Sequence, residues 1–153
     1  MIQKHAIPIL EFDDNPQAVI MPNHEGLDLQ LPKKCVYAFL EEEIDLYARE
    51  VGAKCVGEFV SATKAYPVYV MSYKGEEVCL AQAPVGSAPA AQFMDWLISY
   101  GAEKIISTGI CGVLTDIEEN AFLVPVQALR DEGASYHYAP PSRYMDVHVE
   151  AIS

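Results

Sequence analysis

The chain has 153 residues, of which 51% are hydrophobic, and its 10 lysine and arginine residues stand against 22 aspartate and glutamate residues. This length fits one domain with a buried core, and the composition excludes an intrinsically disordered chain. The formal net charge of −12 repels phosphate backbones, which excludes nucleic acid as a partner. Any anion must be captured locally, for example by backbone N–H groups at a glycine turn.

The four cysteines show no metal-binding pattern. Cys35, Cys55, Cys79 and Cys111 form no CxxC pair, and no histidine lies near them at zinc-ligand spacing. We therefore expect reduced thiols and no metal site. The first three are interpreted as small apolar residues on buried strands, whereas Cys111 lies inside a glycine turn with no adjacent base to activate it.

The chain carries no recognisable targeting or membrane-spanning segment. Its first residues lack the apolar core and cleavage site of a secretory signal, and no apolar run reaches the ~18 residues of a membrane span. We expect a cytoplasmic protein that does not bind a membrane.

The first third of the chain is read as an arm, a strand and a helix. Residues 1–33 contain four prolines and predict an irregular arm with one short strand at 18–21. The apolar run 34–40 predicts a strand, and the apolar spacing in 41–51 predicts a helix that ends at Gly52.

Three strands are predicted between residues 53 and 83. Apolar runs at 54–62, 66–73 and 76–83 provide them, and the turn at Lys74 and Gly75 favours antiparallel pairing of the last two. Both faces of 66–73 are apolar, which indicates a sheet covered on both sides.

Two glycine turns follow in succession. Gly86 precedes a helix predicted over 90–100, and the strand around 105–106 runs into the turn 109–112. Because strand, helix and strand alternate here, we expect a parallel sheet in which both turns emerge at the same edge. Backbone N–H groups at such turns, and at a helix N-terminus, can bind an anion.

The last part of the chain is read as a pocket wall. A second strand is predicted at 122–126, followed at 130–138 by charges, hydroxyl groups and aromatic rings in nine residues. Asp146 marks the predicted start of a helix over 147–152.

Three ordered motifs carry a family resemblance. They read APVG at 83–86, STGICG at 107–112 and RDEGASYHYAP at 130–140. In this order they resemble the nucleoside phosphorylase family, which includes purine and uridine phosphorylases and related nucleosidases, with the uridine phosphorylase branch the most similar. The resemblance covers roughly residues 50–153.

The resemblance implies a fold and an activity. The fold is α/β, with a central mixed β-sheet flanked by helices in a phosphorylase-like three-layer arrangement, and residues 1–153 form a single domain that is the N-terminal portion of the family fold. The activity is that of a glycosyltransferase or nucleosidase, which cleaves the N-glycosidic bond of a nucleoside through transfer of the ribosyl group to phosphate or water. The implied partners are a small-molecule nucleoside and further copies of the chain in a homo-oligomer, with phosphate as a co-substrate and no other cofactor.

The resemblance also implies site residues. Phosphate or another nucleophile would contact Gly86, Ser107, Gly109, Ile110, Cys111 and Gly112. The nucleoside would contact Arg130, Ser135, His137 and Tyr138. Specific catalytic residues are not assigned. From the residues alone, Arg130 with Asp131 and Glu132 fits either a salt-bridged structural cluster or a pocket, and Tyr138 fits either a ligand contact or a core position.

Two departures from the family pattern leave alternatives open. The phosphorylases place a phosphate-binding arginine in the segment matching 21–26 and another at the position of Ser107, and this sequence has neither. Water is therefore an alternative nucleophile. The relatives also continue beyond the position of Ser153, so the chain is either a fragment or a shortened relative.

Two further classes of function are open from the sequence. A catalytically inactive nucleoside-binding or structural member of the same fold is the main alternative. A Rossmann-like nucleotide-binding domain is the other, but the sequence has neither GxGxxG nor GxxxxGK[ST].

Overall fold

The computed structural model describes residues 4–147. Their packing divides the chain into two compact units. The sheet unit comprises residues 19–111, and the loop unit comprises the described residues 4–18 and 112–147. The prediction of one domain over 1–153 stays a prediction.

The sheet unit contains five strands and two helices. Its elements are β1 Lys34–Phe39, α1 Glu43–Glu50, β2 Lys54–Val60, β3 Ala65–Tyr73, β4 Glu76–Gln82, α2 Ser87–Ser99 and β5 Lys104–Gly109. The strands and both helices predicted between residues 34 and 109 are confirmed, with small shifts at their ends. Within the described residues, no helix combines the length and the apolar character needed to cross a bilayer.

The sheet is mixed, with strand order β2-β3-β4-β1-β5. β1 pairs in parallel with β4 and with β5, whereas β2–β3 and β3–β4 are antiparallel. The β3–β4 hairpin turns at Lys74 and Gly75, whose φ values of 51° and 83° both lie in the left-handed region. Two positive φ values in succession suit the twist of a tight hairpin, so the predicted antiparallel turn is confirmed.

Side chains alternate between the two faces of the sheet, and each face has a helix. Cys35 and Tyr37 of β1 pack with α2, whereas Val36 and Ala38 pack with α1. The larger cluster, under α2, contains the largest fully buried side chains, namely Tyr37, Val68, Cys79, Phe93 and Leu97. The prediction of a mixed sheet flanked by helices in three layers is confirmed.

The arm before β1 is fastened to α2. The amide of Leu31 donates to the carbonyl oxygen of Tyr100 at 2.7 Å, and the indole N–H of Trp96 donates to Glu25 Oε2 at 3.1 Å. Trp96 is buried against a group of aromatic rings that includes Phe93. These contacts join the arm to the aromatic side of the core.

The loop unit has little regular structure. It contains the 3₁₀ helices Pro8–Leu10 and Ala134–His137 and the antiparallel pair β6 Gln127–Leu129 and β7 Tyr144–Asp146. The amide of Val147 donates to the carbonyl oxygen of Val126 at 3.0 Å, which extends this pairing by one bond.

Four sequence expectations are wrong in the described residues. No strand forms at 18–21 or at 122–126, and Val19 and Phe122 are fully exposed. A strand requires a partner for its backbone groups, and neither run has one within 4–147. Cys55 is exposed because β2 is an edge strand. Asp146 ends β7 rather than starting a helix, and residues 148–152 of the expected helix lie outside the described residues.

Candidate functional site

Two glycine turns leave the sheet at one edge. β4 and β5 flank β1 in parallel, and Ala38 of β1 stands in register with both Gln82 and Thr108. Since all three strands run in the same direction, the loops after them begin at the same edge. The predicted common edge is therefore confirmed for Gly86 and Gly109.

The first turn leads directly into α2. Gly86 has φ 116° and ψ 141°, a conformation that strains any residue with a Cβ. Its carbonyl oxygen accepts the first helical hydrogen bond, from the amide of Ala90 at 3.0 Å. The N-terminal end of α2, with its partial positive charge, therefore begins at Ser87, five positions after Gln82 at the end of β4.

The second turn begins at the end of β5. Ser107 is paired in register with Tyr37, and Gly109 with Phe39. Ser107, Gly109, Ile110 and Cys111 are all exposed. Gly112 belongs to the loop unit, and a Cβ added there would meet nothing within 4 Å.

The segment predicted to correspond to the phosphorylases' phosphate-binding segment lies elsewhere in the sheet unit. Glu25, within 21–26, bonds to Trp96 in the third turn of α2, whereas Gly86 precedes the first turn. The positions of Trp96 and Gly86 are about 15 Å apart along the helix axis.

Arg130 makes several hydrogen bonds within the loop unit. It is 5% exposed, and all five of its guanidinium N–H groups are directed at oxygen atoms of the same unit. The acceptors are Ser135 Oγ at 2.9 Å from Nε, Pro140 O at 2.6 Å and Ser142 Oγ at 2.8 Å from Nη1, and Ser135 O at 2.9 Å and Ala139 O at 3.0 Å from Nη2.

Tyr136 and Glu132 complete this cluster. The Tyr136 ring centre lies 4.4 Å from Arg130 Cζ, and its hydroxyl donates to the carbonyl oxygen of Arg130 at 3.1 Å. Glu132 Oε1 accepts from the amide of Ser135 at 2.6 Å. Hydrogen bonds with Ser135, and the nearby charge of Arg130, hold the pKa of the Glu132 carboxyl below its ordinary value of 4.5.

His137 and Tyr138 lie on the surface of the loop unit. Tyr138 follows the 3₁₀ helix Ala134–His137, its side chain is 52% exposed, and its amide donates to the carbonyl oxygen of Ser135 at 3.1 Å. His137 is also exposed. Of the two interpretations open for Tyr138, this exposure disfavours a core position. The roles predicted for Ser135, His137 and Tyr138 stay predictions.

An open pocket lies in each unit, and from here each is called the hollow of its unit. The hollow of the loop unit measures about 590 Å³ and includes Arg130 but not Ser135, His137 or Tyr138. It is lined by Leu10, Leu129, Arg130, Asp131, Tyr136, Pro141, Ser142 and Arg143. The hollow of the sheet unit, about 580 Å³, lies between α2 and β5 and is bordered by none of the predicted site residues. Sequence reasoning missed Tyr136 and Ser142, and the serine-rich, aromatic composition of 130–144 was the only signal.

No group of three or more histidine, cysteine, aspartate or glutamate residues suited to a metal ion occurs within 4–147.

Cys35 and Cys79 are buried partners in the β1–β4 register, and a hydrogen bond with Cys35 together with burial raises the pKa of the Cys79 thiol. Neither Cys55 nor Cys111 is buried.

The family of the chain follows from its sequence match. The family model described as the phosphorylase superfamily matches residues 33–151, which is most of the chain. The chain belongs to the phosphorylase superfamily. No curated protein sequence matches it significantly.

Comparison with solved structures finds several that are similar to this chain. The Helicobacter pylori protein MTAN matches with a TM-score of 0.56 and 18% identity over 76% of this chain and 55% of its own. A single-residue variant of H. pylori MTAN, with 5′-methylthioadenosine in its active site, matches with a TM-score of 0.57 and 18% identity over 78% and 54%. The purine nucleoside phosphorylase of Toxoplasma gondii, in complex with immucillin-H, matches with a TM-score of 0.42 and 17% identity over 63% and 38%.

At these identities the H. pylori structures establish the fold of this superfamily member and nothing finer. The chain spans about half the length of the H. pylori structures it matches.

Proposed function

We propose that the chain binds a nucleoside and takes part in cleaving its N-glycosidic bond, with phosphate or water as the nucleophile. Membership of the phosphorylase superfamily supports nucleoside processing. The observation that carries the proposal is the common edge of β4, β1 and β5, where Gly86 with the start of α2 and Gly109 emerge together.

Each part of the proposed machinery has a chemical task. Cleavage of an N-glycosidic bond passes through an oxocarbenium-like sugar, so the nucleophile must be held close to the anomeric carbon while the departing base carries negative charge. Backbone N–H groups at Gly86 and at 109–112 suit an anionic or polar nucleophile, because they supply donors without an added cation. Exposed Tyr138 and His137 offer an aromatic face and an imidazole ring for the nucleoside.

A nucleosidase is favoured over a phosphorylase by the residues at the edge. The family resemblance places Ser107 at the position of a phosphate-binding arginine of the phosphorylases, and Glu25 bonds to Trp96, about three helical turns from Gly86. Neither arginine is present, and a water molecule requires less positive charge in its binding site than a phosphate ion does. Water therefore fits these residues better as the nucleophile.

The alternative is an inactive member that binds nucleosides or serves a structural role. It is favoured by the sequence at the positions where the family resemblance predicts two phosphate-binding arginines, since neither arginine is present there. Oligomer formation and a cytoplasmic location stay predictions.

Base release decides between these functions. Uridine, inosine, adenosine and 5′-methylthioadenosine are each incubated with the chain, with and without phosphate, and the free base is measured. Release without phosphate supports a nucleosidase, and release that requires phosphate supports a phosphorylase. Saturable nucleoside binding without release supports the inactive member, whereas neither binding nor release contradicts the proposal.

A further inference from the structure

We propose that Arg130 is a positioning residue, whose buried guanidinium fixes the backbone on both sides of His137 and Tyr138 and does not itself contact the nucleoside. The identity of the ligand rests on the proposed function. The positioning role rests on contacts within the loop unit. It replaces the ligand contact predicted for Arg130 from the sequence.

The guanidinium donors of Arg130 are all used within the chain. A guanidinium carries five N–H groups, and those of Arg130 are all engaged by oxygen atoms of the chain at 2.6 to 3.0 Å. A ligand contact would require one of these bonds to break. Arg130 is also 5% exposed, so its charge depends on the same oxygens for solvation.

The oxygens that accept from Arg130 lie before and after His137 and Tyr138 in the sequence. Both oxygens of Ser135 accept from Arg130, and so do the carbonyl oxygens of Ala139 and Pro140. His137 and Tyr138 therefore lie between two anchored positions. The backbone between these anchors is only three residues long, so its path depends on the distance at which Arg130 holds them.

Arg130 is itself held in position by two further contacts. Its amide donates to the carbonyl oxygen of Arg143 at 3.0 Å, at the end of the β6–β7 pair, and the Tyr136 ring lies against its guanidinium at 4.4 Å. The planar guanidinium of Arg130 donates to acceptors in several directions. Lysine cannot replace it, because the lysine ammonium presents its three donors from a single nitrogen atom.

The test compares Arg130→Lys with Arg143→Lys. Arg143 is a matched control because it is an exposed arginine of the same unit, with its Cζ 5.4 Å from the ring centre of Tyr144. Hydrogen exchange is followed at the amides of Tyr136, Tyr138 and Ala139, and at Leu80 in β4 as a reference for the sheet unit. We expect Arg130→Lys to speed exchange at the three loop-unit amides by about tenfold or more with Leu80 unchanged, and Arg143→Lys to change neither.

A second variant guards against loss of folding. Arg130→Ala is measured with and without millimolar guanidinium ion, which is expected to restore part of the protection at Tyr138 by occupying the vacated position. Wild-type exchange in Arg130→Lys, or equal acceleration at Leu80, would overturn the positioning role. So would acceleration in Arg130→Ala that added guanidinium does not reverse.

Ligand binding separates this inference from the proposed function. The affinity for 5′-methylthioadenosine is measured by calorimetry, and we expect it to weaken about tenfold or more in Arg130→Lys and to stay unchanged in Arg143→Lys. Faster exchange with wild-type affinity would show that Arg130 does not serve the ligand site. A wild-type chain that binds none of the tested nucleosides contradicts the proposed function, and the exchange measurements still decide the positioning role.

Discussion

A Cβ atom at Gly109 would lie 3.1 Å from the Cβ of Phe39 and 3.4 Å from the Phe39 carbonyl oxygen. These two residues are the last registered pair of the parallel strands β1 and β5. Glycine is therefore favoured where the second turn leaves the sheet, because a Cβ atom would be crowded against Phe39 and not because of the backbone angle.

Gly109→Ala is expected to destabilise the sheet unit by about 1–3 kcal/mol, because the added methyl group overpacks the end of β1. Chemical denaturation followed by the fluorescence of Trp96, the only tryptophan of the chain, measures the change. Gly112→Ala is the control, since its Cβ meets no atom within 4 Å, and it should alter stability by less than about 0.5 kcal/mol. Equal effects of the two substitutions would show that Gly109 is not in close contact with Phe39.

Glu25→Ala is expected to destabilise the sheet unit by about 1–2 kcal/mol. The substitution removes the acceptor for the indole N–H of Trp96, which is 2% exposed. Glu25→Gln keeps a carbonyl oxygen in the same place and should stay close to the wild type. Denaturation midpoints of the three proteins give the comparison, and a Glu25→Gln variant as unstable as Glu25→Ala would argue against this bond.

Stability is expected to fall in alkaline solution as Tyr69 ionises. Burial, followed by the hydrogen bond that its hydroxyl donates to Asp45 at 2.9 Å, raises the pKa of Tyr69 from 10.0 to about 12. A raised pKa in the folded state means that the stabilisation is complete below pH 10 and is lost as the pH rises through about 12. Denaturation at several pH values should show this decline, with a shallower one in Tyr69→Phe. Identical declines in the two proteins would contradict the assignment.

Two of the four thiols are expected to react rapidly with a thiol reagent. Cys55 and Cys111 are exposed, whereas Cys35 and Cys79 are buried and should react only on unfolding. Titration with a chromogenic disulfide, before and after denaturant is added, counts both classes. Cys111→Ser should reduce the rapid class to one thiol, and rapid reaction of all four in the native protein would contradict the described core.

The strands and helices of the sheet unit were predictable because their signals are local. The apolar run of β1, the helical spacing of α1 and the Lys74–Gly75 turn each specify one element from neighbouring residues. The common edge of β4 and β5 then followed from the alternation of strand and helix. Residues 122–126 show the limit of this reasoning, because an apolar run becomes a strand only where a partner strand lies beside it.

The candidate site was less accessible from sequence. The residues around Arg130 could be identified as a charged and aromatic cluster, but its actual acceptors include the carbonyl oxygens of Ala139 and Pro140. Hydrogen bonds to backbone carbonyl oxygens depend on the path of the backbone after the 3₁₀ helix, and the types of the residues do not indicate them. The choice between a salt-bridged cluster and a pocket therefore could not be made before the hydrogen bonds were seen.

The proposed function assigns nucleoside cleavage to the common edge of β4, β1 and β5. Amide-resolved NMR during titration with 5′-methylthioadenosine in phosphate buffer tests it most directly. We expect saturable shifts at the amides of Gly86 and Gly109, with strand β2 unchanged. Saturable shifts confined to other parts of the chain, or none at any nucleoside concentration, would contradict it.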